Sequence, residues 1–146
     1  MKHYNINQLR DRLQLHFHWN YYRLIFLTRF ITSLIISSTV NLARLSLYYN
    51  TEVKNKSNYR SIQRFFKEYA IDQIEYMHFV LKQLPVRERF YLVMDRTNWK
   101  FGKCPINILM LGIIYKRQCF PFCWELLDKG GSSCTTERKE LLKRAI

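Results

Sequence analysis

The stretch YLVMDRTNWKFGK, residues 91–103, decides how this chain is read. Phe90, Leu92 and Met94 alternate with Tyr91 and Val93, the two-residue period of a half-buried strand. That run ends on Asp95, and a basic, aromatic, Gly-containing segment follows. A core-bound strand that finishes on a carboxylate has two explanations. Asp95 bonds the backbone N–H of Thr97 or Asn98 in a turn, or it stands at the sheet rim as a hard oxygen ligand for Mg²⁺ or Mn²⁺. Taken alone, one acid with no partner in view favours the turn.

Downstream, NILMLGIIY (residues 107–115) reads as a nearly continuous buried strand. Lys116, Arg117 and Gln118 form a tight connection to a third strand, CFPFCWELL (residues 119–127). Pro121 cannot donate to a ladder, so this strand belongs at a sheet edge or carries a bulge there. DKGGSS is a loop, and TTERKELLKRAI starts a helix expected to pack across an antiparallel meander.

Upstream of Pro85 the spacing is helical. Ile6, Leu9, Leu13 and Phe17 share one helix face. Tyr21 to Ile36 is apolar on most sides, as a helix buried among others would be, and a short piece, Leu42 to Leu47, follows. Ser57 or Asn58 is the expected cap of a helix running to about Tyr69. Its apolar back is Tyr59, Ile62, Phe66 and Tyr69. Its basic front is Arg60, Arg64 and Lys67, with Lys54 and Lys56 just upstream. This is the pattern of a DNA-reading helix-turn-helix, and equally of a solvated charged face. A further helix, Ile71 to Leu84, stops at Pro85. The division expected is a helical region, 1–84, and a sheet domain, 85–146, giving an α+β chain.

The 146 residues carry 24 Lys and Arg against 11 Asp and Glu, a formal net charge of +13. A surplus of that size favours an anionic partner, nucleic acid before a membrane surface. The longest uncharged run in the apolar region, Phe30 to Ala43, is too short to span a bilayer, which takes about 20 predominantly apolar residues. With no signal-peptide pattern at the N-terminus, a cytoplasmic chain without a membrane partner is expected. Cys104, Cys119, Cys123 and Cys134 do not suit zinc. Along a strand, Cys119 and Cys123 would sit roughly 13 Å apart, so four reduced, mostly buried thiols are expected instead. His16, His18 and His78 have no metal-ligand partners at usable spacing. Lys100, Lys103, Lys116 and Arg117 face phosphate or solvent, and Trp99 and Phe101 pack on the sheet or stack on a displaced base.

Several ordered blocks then act together. They are Asp95-Arg96-Thr97-Asn98-Trp99 with Gly102; Asn107-Ile108-Leu109-Met110-Leu111; Trp124-Glu125-Leu126-Leu127-Asp128-Lys129; and Gly131, Ser133, Thr135, Glu137 and Arg138. In these the chain resembles cut-and-paste insertion-sequence transposases of the DDE class, the branch with a Tyr-Arg-Glu-Lys box. Arg60-Ser61-Ile62-Gln63-Arg64-Phe65-Phe66 also looks like that family's N-terminal DNA-binding region. The resemblance implies an RNase H-like core whose first three strands and first helix lie here, with Asp95 as the first catalytic acid. It further implies Mg²⁺- or Mn²⁺-dependent strand cleavage and transfer at the element's ends, on double-stranded DNA, by a nucleoid-associated bacterial protein. The family's second Asp and its Glu have no counterpart in these residues. One carboxylate does not hold two ions, so the expectation is the N-terminal portion of a transposase, inactive alone. The alternative is a non-enzymatic DNA-binding regulator or inhibitor, acting as a dimer or on a full-length transposase.

Overall fold

Residues 6–85 and 89–145, apart from the Phe101 side chain, are described in the computed structural model. They form six helices and a three-stranded antiparallel sheet, an α+β chain divided into two compact units, 1–71 and 72–146.

The first unit holds α1 (Ile6–Gln14), α2 (Tyr21–Ser37), α3 (Leu42–Tyr49) and α4 (Asn55–Glu68), each packed on the next. Asn20 and Asn41 cap α2 and α3 by accepting backbone N–H bonds from Arg23, and from Ala43 and Arg44. Although α2 is apolar on most sides, its buried Thr28, Thr32 and Ser33 cost little. Each hydroxyl donates to the carbonyl four residues back, at 2.7–2.8 Å. Leu13, Phe17, Leu24, Leu45 and Ile62 form the unit's interior. No single helix among the described residues is long and apolar enough to cross a membrane.

Two details of α4 differ from expectation. It begins at Asn55, with Lys54 in the cap position making no side-chain cap bond. Asn58 is instead buried, and its amide nitrogen donates to the carbonyls of Ser46 (3.1 Å), Asn50 (2.8 Å) and Val53 (3.4 Å). It therefore serves the end of α3 and the turn after it: the Ser46 carbonyl in the last turn of the helix, and the Asn50 carbonyl, which also accepts from the Val53 N–H at 3.3 Å. The inward stripe is also shifted, to Asn58, Ile62, Phe65 and Tyr69 in place of one through Phe66. Phe65 stacks on Phe26 at 4.1 Å, whereas Phe66 is half exposed.

The second unit opens with α5 (Gln73–Gln83), capped by Asp72. Met77, Val80 and Leu84 join the sheet core, so α5 belongs with the strands that follow it. The strands are β1 (Tyr91–Phe101), β2 (Cys104–Tyr115) and β3 (Gln118–Leu126), in the order β1-β2-β3. Gly102 makes the first tight turn with φ +60, and Lys116 and Arg117 make the second with φ 47 and 65. Paired left-handed residues match the twist of a two-residue hairpin.

Pro121 sits on the edge strand, as expected. The register also slips there: Leu111 pairs with Cys123 but Gly112 with Pro121, which leaves Phe122 without a partner strand residue. Phe122 turns into the core with Leu109, Leu111, Ile113 and Cys123, and Leu141 of α6 (Thr135–Ala145) packs against them. Of the four free thiols only Cys123 is buried; Cys104, Cys119 and Cys134 are exposed, against expectation. The cause is position, since they lie at strand ends and beside the last loop.

Candidate nucleic-acid interface and the acid of the first strand

The basic front of α4 is a single stripe. Lys56, Arg60, Arg64 and Lys67 recur at four- and three-residue steps, so they stack along one helix face. All four are exposed, as is Lys54 before them, and none makes an ion pair among the described residues. Asn58 fixes the angle at which α3 and α4 meet, and so the direction in which the stripe points. Lys100, near the end of β1, and Lys103, in the β1–β2 turn, are exposed on the second unit. Lys116 lies over the Tyr115 ring at 5.3 Å, partly accounting for it without phosphate.

Asp95 is not where the strand ends. It is opposite Met110, and β1 runs on through Thr97, Asn98 and Trp99, paired with Ile108, Asn107 and Ile106. No turn forms at Thr97–Asn98 because those two residues and Trp99 are held in the ladder; the reversal waits for Gly102. The carboxylate is exposed, and its Oδ1 accepts from the Arg96 backbone N–H at 2.7 Å. It shares a sheet face with Tyr91, Val93 and Trp99, opposite the face bearing Leu109 and Leu111. Trp99 is 63% exposed, so the expected packing against the sheet does not occur. The role considered for the Phe101 side chain lies outside the described residues.

Arg96 is the residue that sequence reasoning underused. It falls on the core side of β1, opposite Leu109, where a guanidinium must find acceptors. Those acceptors are the Gly131 carbonyl and Asn107 Oδ1. Asn107 is buried and donates in turn to the carbonyls of Lys129 (2.8 Å) and Gly131 (3.4 Å). These bonds tie the 128–134 loop to the sheet. Arg138 closes it by donating to Ser133 Oγ and to the Ser133 carbonyl. Lys129 pairs with Glu137 at 2.7 Å, and the Glu137 carboxylate, which also accepts from the Cys134 N–H, is held below its usual range.

A groove of about 290 Å³ results, lined by Asp95, Arg96, Met94, Leu109, Ser132, Ser133 and Arg138. Its charged residues are Arg96, Arg138 and Asp95, and the Asp95 side chain starts from the opposite face of the sheet. Glu125, the acid on β3, is paired with Arg144. No group of three His, Cys, Asp or Glu that could hold a metal ion occurs among the described residues. A two-ion phosphodiesterase site needs several converging acids. The donor set beside Asp95 does not supply it, and two guanidiniums in the same groove oppose an added cation. This lining is suited to an anion.

Comparison with protein-family models, with curated proteins and with solved structures finds no match for the chain.

Proposed function

We propose that this chain is a DNA-binding protein of transposase type. Its α4 reads duplex DNA at an element's ends, and its second unit is the opening portion of an RNase H-like core in which Asp95 occupies the place of the first acid. The observation that carries the DNA reading is the Lys56–Arg60–Arg64–Lys67 stripe, an uncompensated row of cations on a helix whose back is buried and whose approach angle is pinned by Asn58. The order of elements supports the core: an antiparallel meander with an exposed acid on its first strand, followed by a helix packed on one face. The protein would act on the nucleoid, in the cytoplasm.

Fluorescence anisotropy on duplex DNA over a salt series tests the reading. Each of Arg60→Gln, Arg64→Gln and Lys67→Gln lowers affinity and reduces the slope of log K against log salt by about 1. Slopes equal to the unsubstituted protein's would remove α4 from the interface. Affinity for element-end DNA no better than for random duplex at matched salt would remove specific recognition.

A second reading, a non-enzymatic regulator of a full-length transposase, is favoured by the groove beside Asp95, where guanidiniums stand in place of further acids. Strand scission with Mg²⁺ or Mn²⁺ that disappears in Asp95→Ala would overturn this second reading. Suppression of transposition on co-expression with an intact relative would support it. Asp95→Asn separates the two without divalent ions. If the groove receives a DNA phosphate, loss of the negative charge strengthens binding about 3-fold, from a surface interaction of under 1 kcal/mol.

A further inference from the structure

The first unit contains a cleft of about 530 Å³ that the helix-turn-helix reading does not use. It lies among α2, the end of α3 and α4, within the size range of small-ligand sites. The rings of Phe26 and Phe65 lie stacked, 4.1 Å apart and 13° from parallel, with Tyr49 beside Phe26 at 5.2 Å and Tyr69 beside Phe65 at 5.2 Å. Three guanidiniums line the same space, those of Arg23, Arg29 and Arg64, against one acid, Glu68. Arg23 lies over the Tyr69 ring at 4.3 Å. Neither Arg29 nor Arg64 makes an ion pair among the described residues.

Flat aromatic surface together with guanidiniums matches one ligand chemistry, a planar base carrying a phosphate. An acidic peptide would use the cations and leave the rings unanswered. We infer that this cleft takes a single nucleotide, its base against the aromatic side chains and its phosphate among Arg23, Arg29 and Arg64. Arg64 also belongs to the outer stripe of α4, so positive charge runs without a break from the duplex-facing surface into the cleft. A nucleotide of the bound DNA, unstacked or in a single-stranded tail, can therefore enter it. The inference rests on the α4 reading for that source alone; a free nucleotide has the same chemistry.

Anisotropy of a labelled single-stranded thymidine oligonucleotide, with deoxyadenosine monophosphate as competitor, tests it. Arg29→Gln is expected to weaken single-strand binding about tenfold, the worth of one charged hydrogen bond, and to leave duplex binding within twofold. Arg23→Gln, exposed and at the rim, is the second variant should the first disturb the fold, with Trp19 emission as the check. Displacement by the mononucleotide assigns the site to free nucleotides as well. Lost single-strand binding without such displacement assigns it to strand-borne ones. Wild-type single-strand binding in both variants would overturn the inference and leave duplex reading by α4 standing. Wild-type duplex binding in an Arg60→Gln, Lys67→Gln double variant, with single-strand binding lost in Arg29→Gln, would do the reverse.

Discussion

Replacing Asn58 tests the joint on which the duplex-reading surface depends. Asn58 is 2% exposed, and its amide group supplies the donor for two carbonyls at the end of α3, those of Ser46 and Asn50. The third, Val53, is at 3.4 Å in an exposed segment, where water can replace the amide. Asn58→Ala leaves the first two without that donor. The Asn50 carbonyl still accepts from the Val53 N–H at 3.3 Å, so the buried Ser46 carbonyl is the group left unsatisfied. That costs about 1–3 kcal/mol, a large share of the roughly 5–15 kcal/mol of an ordinary domain. Asn58→Leu restores most of the volume without a donor and is expected to cost as much, which separates hydrogen bonding from cavity formation. Trp19 reports on this unit because its ring packs on Phe65 and Tyr69 of the α4 end. In a background with Trp99 and Trp124 changed to Phe, urea titration followed by Trp19 emission gives the free energy directly. The reasoning fails if both variants unfold within about 0.5 kcal/mol of the parent, the scatter of ordinary surface changes. It also fails if Asn58→Leu alone is harmless, for then volume matters and the carbonyls do not.

Three other outcomes follow from particular contacts. A Cβ on Gly112 would lie 2.3 Å from Cys119 Sγ and 3.3 Å from the Phe120 carbonyl, so Gly112→Ala destabilises the sheet by about 1–3 kcal/mol. Adding Cys119→Ala removes the nearer atom, and a double-mutant cycle by thermal denaturation should return part of that loss; strict additivity would locate the strain elsewhere. Burial pushes the Tyr49 phenol from its ordinary 10.0 up to about 12, over an opposing pull from Arg29. Because the folded value is the higher one, the stabilisation is intact below pH 10 and lost as pH rises from there to about 12. Ultraviolet titration should show this late tyrosinate, and Tyr49→Phe should flatten that part of the stability profile. Asn107→Ala removes the amide that holds the Lys129 and Gly131 carbonyls, costs about 1–3 kcal/mol, and speeds proteolysis within 128–134; unchanged cleavage would mean Arg138 alone secures the loop.

The period of two in residues 90–94, the Pro121 edge and the helix across the sheet were legible because each rests on local chemistry. The end of β1 was not. Asp95 and Asn98 are poor strand formers, yet Arg96 to Trp99 stay paired because Ile106, Asn107, Ile108 and Leu109 hold the register from the neighbouring strand. Asn58 misled for the same reason: in sequence it looks like a cap for its own helix, while its amide serves carbonyls as many as twelve residues earlier. The nucleotide-sized cleft was invisible because Arg23, Arg29 and Arg64 come from two helices, and only the packing of α2 on the bundle gathers them. Arg96 and Arg138 stood in the quoted blocks, but nothing in their spacing said that they would line the groove that Asp95 borders.

The two guanidiniums decide what the groove that Asp95 borders can accept. A divalent cation entering the groove meets two guanidiniums, while the Asp95 carboxylate starts from the opposite face of the sheet. A phosphodiester entering the same groove meets a net charge of opposite sign, with Ser132 and Ser133 hydroxyls beside it. Among the described residues neither guanidinium pairs with an acid: Arg96 is oriented by carbonyls and Arg138 by Ser133, so both leave their charge for an incoming anion while their positions stay fixed. The charges of the groove's own residues therefore favour an anion over a divalent cation, and a metal-dependent role for Asp95 would need acids that the described residues do not bring to it.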